Sequence, residues 1–351
     1  MTRQRDANSE PSRTSYNMSN LDEVSSSPFY GEYHGHRVED LEILLPRLRA
    51  ATDSLIWTAG DSSLDNKHWF DDSREAVGAY KDVLEPPRSV CDVTYWLNYV
   101  AEQDGSRIAT INTAVEATTL NERTFRLRPQ DEFLRDNLRE EDILVVSIGG
   151  NDVALAPTPC TIVNMLCLLS LPVSCIDNAV SCGTVPADDC CNGCGASLLS
   201  CGCTFPPCAG YFRHLFGVRV ESYIRKLTSK TKPKKVLVCM IYYPDENQAP
   251  SWANTALGAL GYNSNPAKLQ AMIRNTFKTA TSAIRIPGTE VVPVPLFDVL
   301  DGQRSEDFVA RVEPSAIGGR KMAEYIWVLA KQPTSVGVAG PPATSYMEER
   351  N

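Results

Sequence analysis

Ile143-Leu144-Val145-Val146-Ser147-Ile148-Gly149-Gly150-Asn151-Asp152 is the stretch from which the rest of the chain can be read. Six uncharged, mostly branched residues stop abruptly at a glycine pair. So short a run, with no polar alternation, is the pattern of a strand buried on both faces. Working outward, Ser54-Leu55-Ile56-Trp57-Thr58-Ala59 is a similar run that stops at Gly60. Residues 236–242 form another, and 107–111 a weaker one. Residues 290–297 read as a fifth strand, weakened or placed at an edge by Pro293 and Pro295, which cannot donate to a ladder.

Helical spacing fills the intervals. In 37–51, Val38, Leu41, Leu44, Leu45 and Leu48 recur near helical period, and 90–103, 211–228, 266–284 and 315–330 read as helices too. Strands alternating with helices imply a parallel sheet covered on both faces. Ligands then bind beyond the carboxyl ends of the strands, so function is sought in the residues after each strand. Neither common Gly-rich phosphate loop follows any of them.

Three segments stand there: Gly60-Asp61-Ser62-Ser63-Leu64-Asp65-Asn66, Gly149-Gly150-Asn151-Asp152, and Glu313-Pro314-Ser315-Ala316-Ile317-Gly318-Gly319. Together they resemble the SGNH (GDSL-type) hydrolases, named for a Ser, a Gly, an Asn and a His in four separated blocks. Gly60-Asp61-Ser62 is similar to the first block and Gly149-Gly150-Asn151-Asp152 to the third, in the right order and both after buried strands. The resemblance covers about residues 52 to 331. It implies a flavodoxin-like three-layer α/β/α sandwich with a five-stranded parallel sheet. It also implies hydrolysis of a carboxylic ester, the acyl ester of a lipid, sugar or small molecule, through an acyl-serine intermediate and without a cofactor.

On that resemblance Ser62 is the expected nucleophile, on a turn that Gly60 lets bend sharply, with Asp61 as a cap. The alternative for Ser62 itself is a helix cap. The oxyanion hole is expected from the Ser62 N–H, the Asn151 side chain and a backbone N–H of the second block. That block should hold a glycine; this chain has Glu116 or Ala117 in its place. Gly150 and Asp152 are expected to support the turn. The fourth block should read Asp-x-x-His, but Ala310 and Glu313 stand at those positions. Three explanations remain open: Glu313 as base, recruitment of His34, His36, His68 or His214, or an inactive protein that binds an acylated ligand or a partner. Asp307 is a further candidate for a displaced acid.

The 34 Lys and Arg against 43 Asp and Glu give a net charge of −9, which argues against a nucleic-acid binder. Residues 153–176 carry no charge until Asp177, but Pro157, Pro159 and Pro172 break the continuous helix that lipid requires, so no transmembrane helix is expected. The apolar stretch 162–173 should pack on the core or cover a pocket. No secretory signal is visible, which favours the cytoplasm, while the cysteine content leaves secretion open.

Twelve cysteines are present, ten of them between Cys160 and Cys208. They lie in an expected insertion, 156–210, that could act as a lid. The readings are disulfides, free thiols, or a structural zinc held by some of Cys190, Cys191, Cys194, Cys201, Cys203 and Cys208. The expected domain is 37–331, between a disordered tail (1–36) and a flexible one (332–351).

Overall fold

The computed structural model describes residues 23–181, 204–205 and 208–334. Five parallel strands form the central sheet: β1 (Ser54–Gly60), β2 (Ile108–Asn112), β3 (Ile143–Ser147), β4 (Lys235–Met240) and β5 (Glu290–Pro295). Their order is β5-β4-β3-β1-β2, which is the flavodoxin-like 2-1-3-4-5 arrangement read from the other edge. The expected fold class is therefore the observed one. The chain reverses its direction of travel across the sheet between β1 and β3, and that switch point is where a ligand crevice opens.

The alternation of each strand divides the core between two faces. Leu55, Trp57, Leu144, Val146, Val236 and Val238 point to one cluster, and Ile56, Ile143, Val145 and Leu237 to the other. Helices α1 (Val38–Ala51), α3 (Pro129–Asn137), α5 (209–227) and α7 (Pro266–Thr279) cover the first face. Helix α5 begins as Ala209–Arg213, passes through a wide π turn at His214–Arg219 and continues as Val220–Leu227. Helices α2 (Val93–Gln103) and α8 (Ala316–Lys331) cover the second. Caps fix where they start: Asp92 accepts from Tyr95 N at 2.6 Å, and Ser315 Oγ from Ile317 N and Gly318 N. Each such cap is worth about 1 kcal/mol.

β5 lies at the sheet edge, as its two prolines require. Three other expectations change. The N-terminal tail does not extend to residue 36: Phe29 and His36 are buried and stacked at 3.8 Å between ring centres, so packing begins by Val24. A Ser- and Glu-rich composition hid two anchoring rings. Residues 1–22 lie outside the described residues. The C-terminal boundary also moves slightly, since Gln332 O accepts from Lys235 Nζ at 2.6 Å; 335–351 lie outside the described residues. Third, the stretch 162–173 packs only in part. Helix α4 (Pro159–Leu169) turns Met165 and Leu168 inward but leaves Ile162, Val163 and Leu166 exposed.

In the insertion, Cys167 is bonded to Cys208, tying the end of α4 to the start of α5. A disulfide sulfur is not a thiolate, so Cys208 is removed from the zinc candidates. Cys160 is also disulfide-bonded and Cys175 is free. Cys190, Cys191, Cys194, Cys201 and Cys203 lie outside the described residues. No group of metal-ligating side chains occurs among the described residues, nor a helix long and apolar enough to cross a membrane.

Candidate active site

The site is built at the carboxyl ends of β1 and β3. Gly60 ends β1 at φ +130, and a Cβ there would lie 1.8 Å from Ser147 O, so only glycine permits the close approach of the two strands. The chain then turns through Asp61, whose Oδ1 accepts from Ser63 N at 3.1 Å and Ser63 Oγ at 2.7 Å. This turn fixes Ser62, 8% exposed, with its side chain on the wall of a cavity. Burial raises the Asp61 carboxyl to about 6, against the pull of the Ser63 bonds and Arg123.

Ser62 Oγ donates to Glu313 Oε1 at 3.3 Å. Glu313 is 4% exposed, and its other oxygen has no hydrogen-bond partner among the described residues. Burial is the main cause that lifts its carboxyl to about 8, with Asp61 and Asp65 adding to it and the Ser62 bond opposing. That value suits a proton acceptor near neutral pH far better than the ordinary ~4.3.

Glu313 is positioned from two sides. Pro314 O accepts from Asn66 Nδ2 at 3.0 Å, and Asn66 Oδ1 accepts from Val93 N, so the turn after Ser62 is tied directly to the block that carries Glu313. Upstream, Ala310 and Arg311 both adopt left-handed backbone, at φ +48 and +68. Such residues cost roughly 1–2 kcal/mol each and persist only when their surroundings hold them. Here the buried Arg311 guanidinium donates to Asp245 O, Asn254 Oδ1 and Asn263 Oδ1. Ser251 Oγ also donates to Ala310 O.

Backbone geometry separates the two residues expected for the second block. Glu116 N donates to Asp65 Oδ2 at 3.0 Å, so it is spent and cannot serve an oxyanion; that expectation is corrected. Ala117 is left-handed at φ +56, the conformation that glycine favours. The N–H groups of Ala117 and Ser62 have no partner among the described residues. Asn151 Nδ2 donates one hydrogen to Thr118 O at 3.0 Å, which orients the amide and leaves its second hydrogen available.

Gly150 and Asp152 play unequal parts. Gly150 has ordinary helical backbone, and a Cβ there would meet Ile241 at an ordinary contact distance of 3.6 Å, so nothing there demands glycine; Gly149, at φ +111 and pressed against the Phe216 ring, does. Asp152 accepts from Leu120 N at 2.7 Å and Asn121 N at 3.0 Å, which anchors the loop carrying Ala117 and Thr118.

Sequence reasoning missed the hub of this arrangement. Asp65 accepts from Lys67 Nζ at 2.8 Å, Asn112 Nδ2 at 3.0 Å and Glu116 N, joining the turn after β1 to the loop after β2. Both Asp65 and Lys67 are fully buried, and removing one partner of such a pair costs roughly 3–5 kcal/mol. The only sequence signal was a charged residue inside the Ser-Leu-Asp-Asn continuation. Glu116 carries its own perturbation: burial, then Asp65 and Glu313, push its carboxyl to about 8.

None of the four histidines lines the cavity at Ser62. His36 Nδ1 pairs with Phe29 O, and burial holds its ring well below the usual histidine range. His34 and His68 sit in an exposed aromatic group around Tyr33. His214 is buried in the π turn of α5. Asp307 is engaged by Lys321 Nζ at 2.6 Å and 2.8 Å and does not reach Glu313.

The cavity beside Ser62 is bounded by Asn151, Glu313, Gly150 and the side chains of α7 and its preceding helix α6 (Asn254–Ala259). No described residue of 156–210 lines it, so the lid expected there is not seen among the described residues. The wall comes instead from α6 and α7.

No family model matches the chain, and no curated protein matches it. Among solved structures it resembles a lipase from a goat rumen metagenome, with 13% identity over 78% of this chain and 96% of that one, at a TM-score of 0.38. An acetylxylan esterase from Geobacillus stearothermophilus shares 13% identity over 81% and 96%, at 0.37. An extracellular lipase from Streptomyces rimosus shares 13% over 80% and 100%, also at 0.37. Likeness this distant carries no functional argument, and what speaks for a reaction is the meeting of Ser62, Asn151 and Glu313 at one cavity.

Proposed function

We propose that the protein is a serine hydrolase of carboxylic esters in which a glutamate replaces the histidine base. The observation that carries this reading is the buried Ser62–Glu313 hydrogen bond, at a cavity that Asn151 also lines. A serine hydroxyl needs a base to become nucleophilic, and an oxyanion needs preorganised donors.

In this mechanism the Glu313 carboxylate takes the Ser62 proton as Oγ bonds to the ester carbonyl carbon. The carbonyl oxygen, now an oxyanion, is held by the Ser62 and Ala117 N–H groups and the free Asn151 amide hydrogen. Collapse breaks the carbon–oxygen bond to the alcohol, which leaves with the proton returned by Glu313. A water molecule then loses its proton to Glu313, attacks the acyl-serine and releases the acid, restoring Ser62. Each donor of the hole is worth about 10²- to 10³-fold in kcat.

The family pattern also orients its base with an aspartate. Ala310 cannot do this, and Glu313 needs no tautomer to be fixed, since either carboxylate oxygen can accept a proton. Geometry is instead imposed through Asn66 and the Arg311 anchor. The test is incubation with a fluorophosphonate and peptide mass spectrometry, alongside hydrolysis of p-nitrophenyl esters. A covalent adduct on Ser62, and activity lost in Ser62→Ala, support the reading; a folded wild type that forms no adduct and turns over no ester refutes it.

A further inference from the structure

The cavity at Ser62 has a marked chemical asymmetry. Asp61, Ser62, Ser63, Asn151 and Glu313 make its polar edge, and most of the remaining wall is carbon, including Val153, Phe216, Leu257, Leu269, Met272 and Ile273. The hydroxyl of Tyr242, which also lines the cavity, is already spent on Val312 O at 2.7 Å. Leu257, Leu269, Met272 and Ile273 are 5% exposed or less, so the wall is fixed by core packing. Partly exposed Leu260 and Trp252 stand at its open end. Neither Glu116 nor Tyr33 belongs to this wall. Tyr33 is exposed and Glu116 buried, and burial, then the charges of Glu116 and Glu313, raise the Tyr33 hydroxyl above its ordinary range.

A polar moiety placed in the carbon-lined part would lose its water and gain no hydrogen bond there. A hydrocarbon chain would gain with every methylene buried. We propose that this cavity holds the acyl chain of the substrate, an apolar hydrocarbon chain, with the polar alcohol outside its carbon-lined part. The proposal rests on the serine-hydrolase reading for its register, because the chain is placed by its carbonyl carbon lying against Ser62 Oγ. Helices α6 and α7 are then the specificity elements: their apolar residues at successive turns build the wall, and Met272 and Leu269 face the chain.

Two measurements test it. In steady-state kinetics, kcat/KM for p-nitrophenyl octanoate is expected to exceed that for the acetate at least tenfold. Met272→Trp, which fills the cavity, should cut that ratio tenfold or more in a variant shown to remain folded. Acetate turned over as well as octanoate, or a ratio unmoved in a folded Met272→Trp, overturns the proposal. Independently of catalysis, folded Ser62→Ala is titrated with the fluorescent fatty acid cis-parinaric acid. Saturable binding displaced by octanoate and not by acetate is expected, and absence of saturable binding overturns the proposal. Binding retained by a wild type that neither hydrolyses esters nor reacts with a fluorophosphonate would refute the hydrolase reading while leaving the apolar chain in its cavity.

Discussion

Ser62 and Glu313 are 251 residues apart in sequence and joined by one buried hydrogen bond, Oγ to Oε1 at 3.3 Å. Everything around the pair serves to hold it. Asn66 ties the turn of one residue to the block of the other, and the Arg311 anchor sets the approach of the chain to Glu313. The consequences can be measured.

Glu313 should make the protein less stable as pH rises. Its carboxyl is raised to about 8 in the folded state, against roughly 4.3 when unfolded. Between those values the folded state retains a proton that the unfolded state has lost, so stability falls with increasing pH and levels off above 8. Glu313→Gln removes this dependence. Its unfolding free energy should match wild type near pH 4 and exceed it by a few kcal/mol at pH 9, as read by urea denaturation. An advantage confined to low pH would contradict the burial argument.

Restoring the family pattern is a second test. Ala310→Asp with Glu313→His places an Asp-x-x-His motif in this backbone, and aspartate tolerates the left-handed conformation at 310 better than most residues. Esterase activity in the double variant should set in near the ordinary histidine range of ~6.5, lower than in wild type. Glu313→His alone should be the weaker enzyme, because nothing then orients the ring.

Ala117→Gly should raise stability by about 1 kcal/mol, since a left-handed alanine is strained and glycine is not. Its esterase rate should stay within a few-fold of wild type, because the proposed contribution of residue 117 is a backbone N–H that glycine retains. A hundred-fold loss of kcat would place the oxyanion elsewhere.

The Cys167–Cys208 bond closes a loop of about forty residues. Replacing both cysteines by serine should lower stability by roughly 2–4 kcal/mol. The loss should appear in thermal midpoint more than in kcat, because neither residue lines the Ser62 cavity.

Much of this organisation was legible because it is written in short-range pattern. Uncharged runs ending at Gly60 and Gly149 marked strands buried on both faces, and the two prolines of β5 marked an edge. The order of Gly60-Asp61-Ser62, Gly149-Gly150-Asn151-Asp152 and Glu313-Pro314 along the chain pointed to residues that do converge. What was illegible depended on burial or on φ. Only backbone conformation separates Ala117 from Glu116, and a Lys two residues from an Asp reads as surface until both are seen fully buried. The packing of Phe29 and His36 was masked by polar neighbours, and the pairing of Cys167 with Cys208 cannot be chosen among ten cysteines by spacing.

The central claim is that Glu313 is the base for Ser62, and the pH dependence of fluorophosphonate labelling tests it most directly. For wild type the second-order rate constant should rise about tenfold per pH unit and level off near 8, where Glu313 loses its proton. Glu313→Gln should label at least a hundred-fold more slowly at pH 8 and show no such limb. Labelling of Ser62 in Glu313→Gln at the wild-type rate, with the same pH profile, would contradict the account.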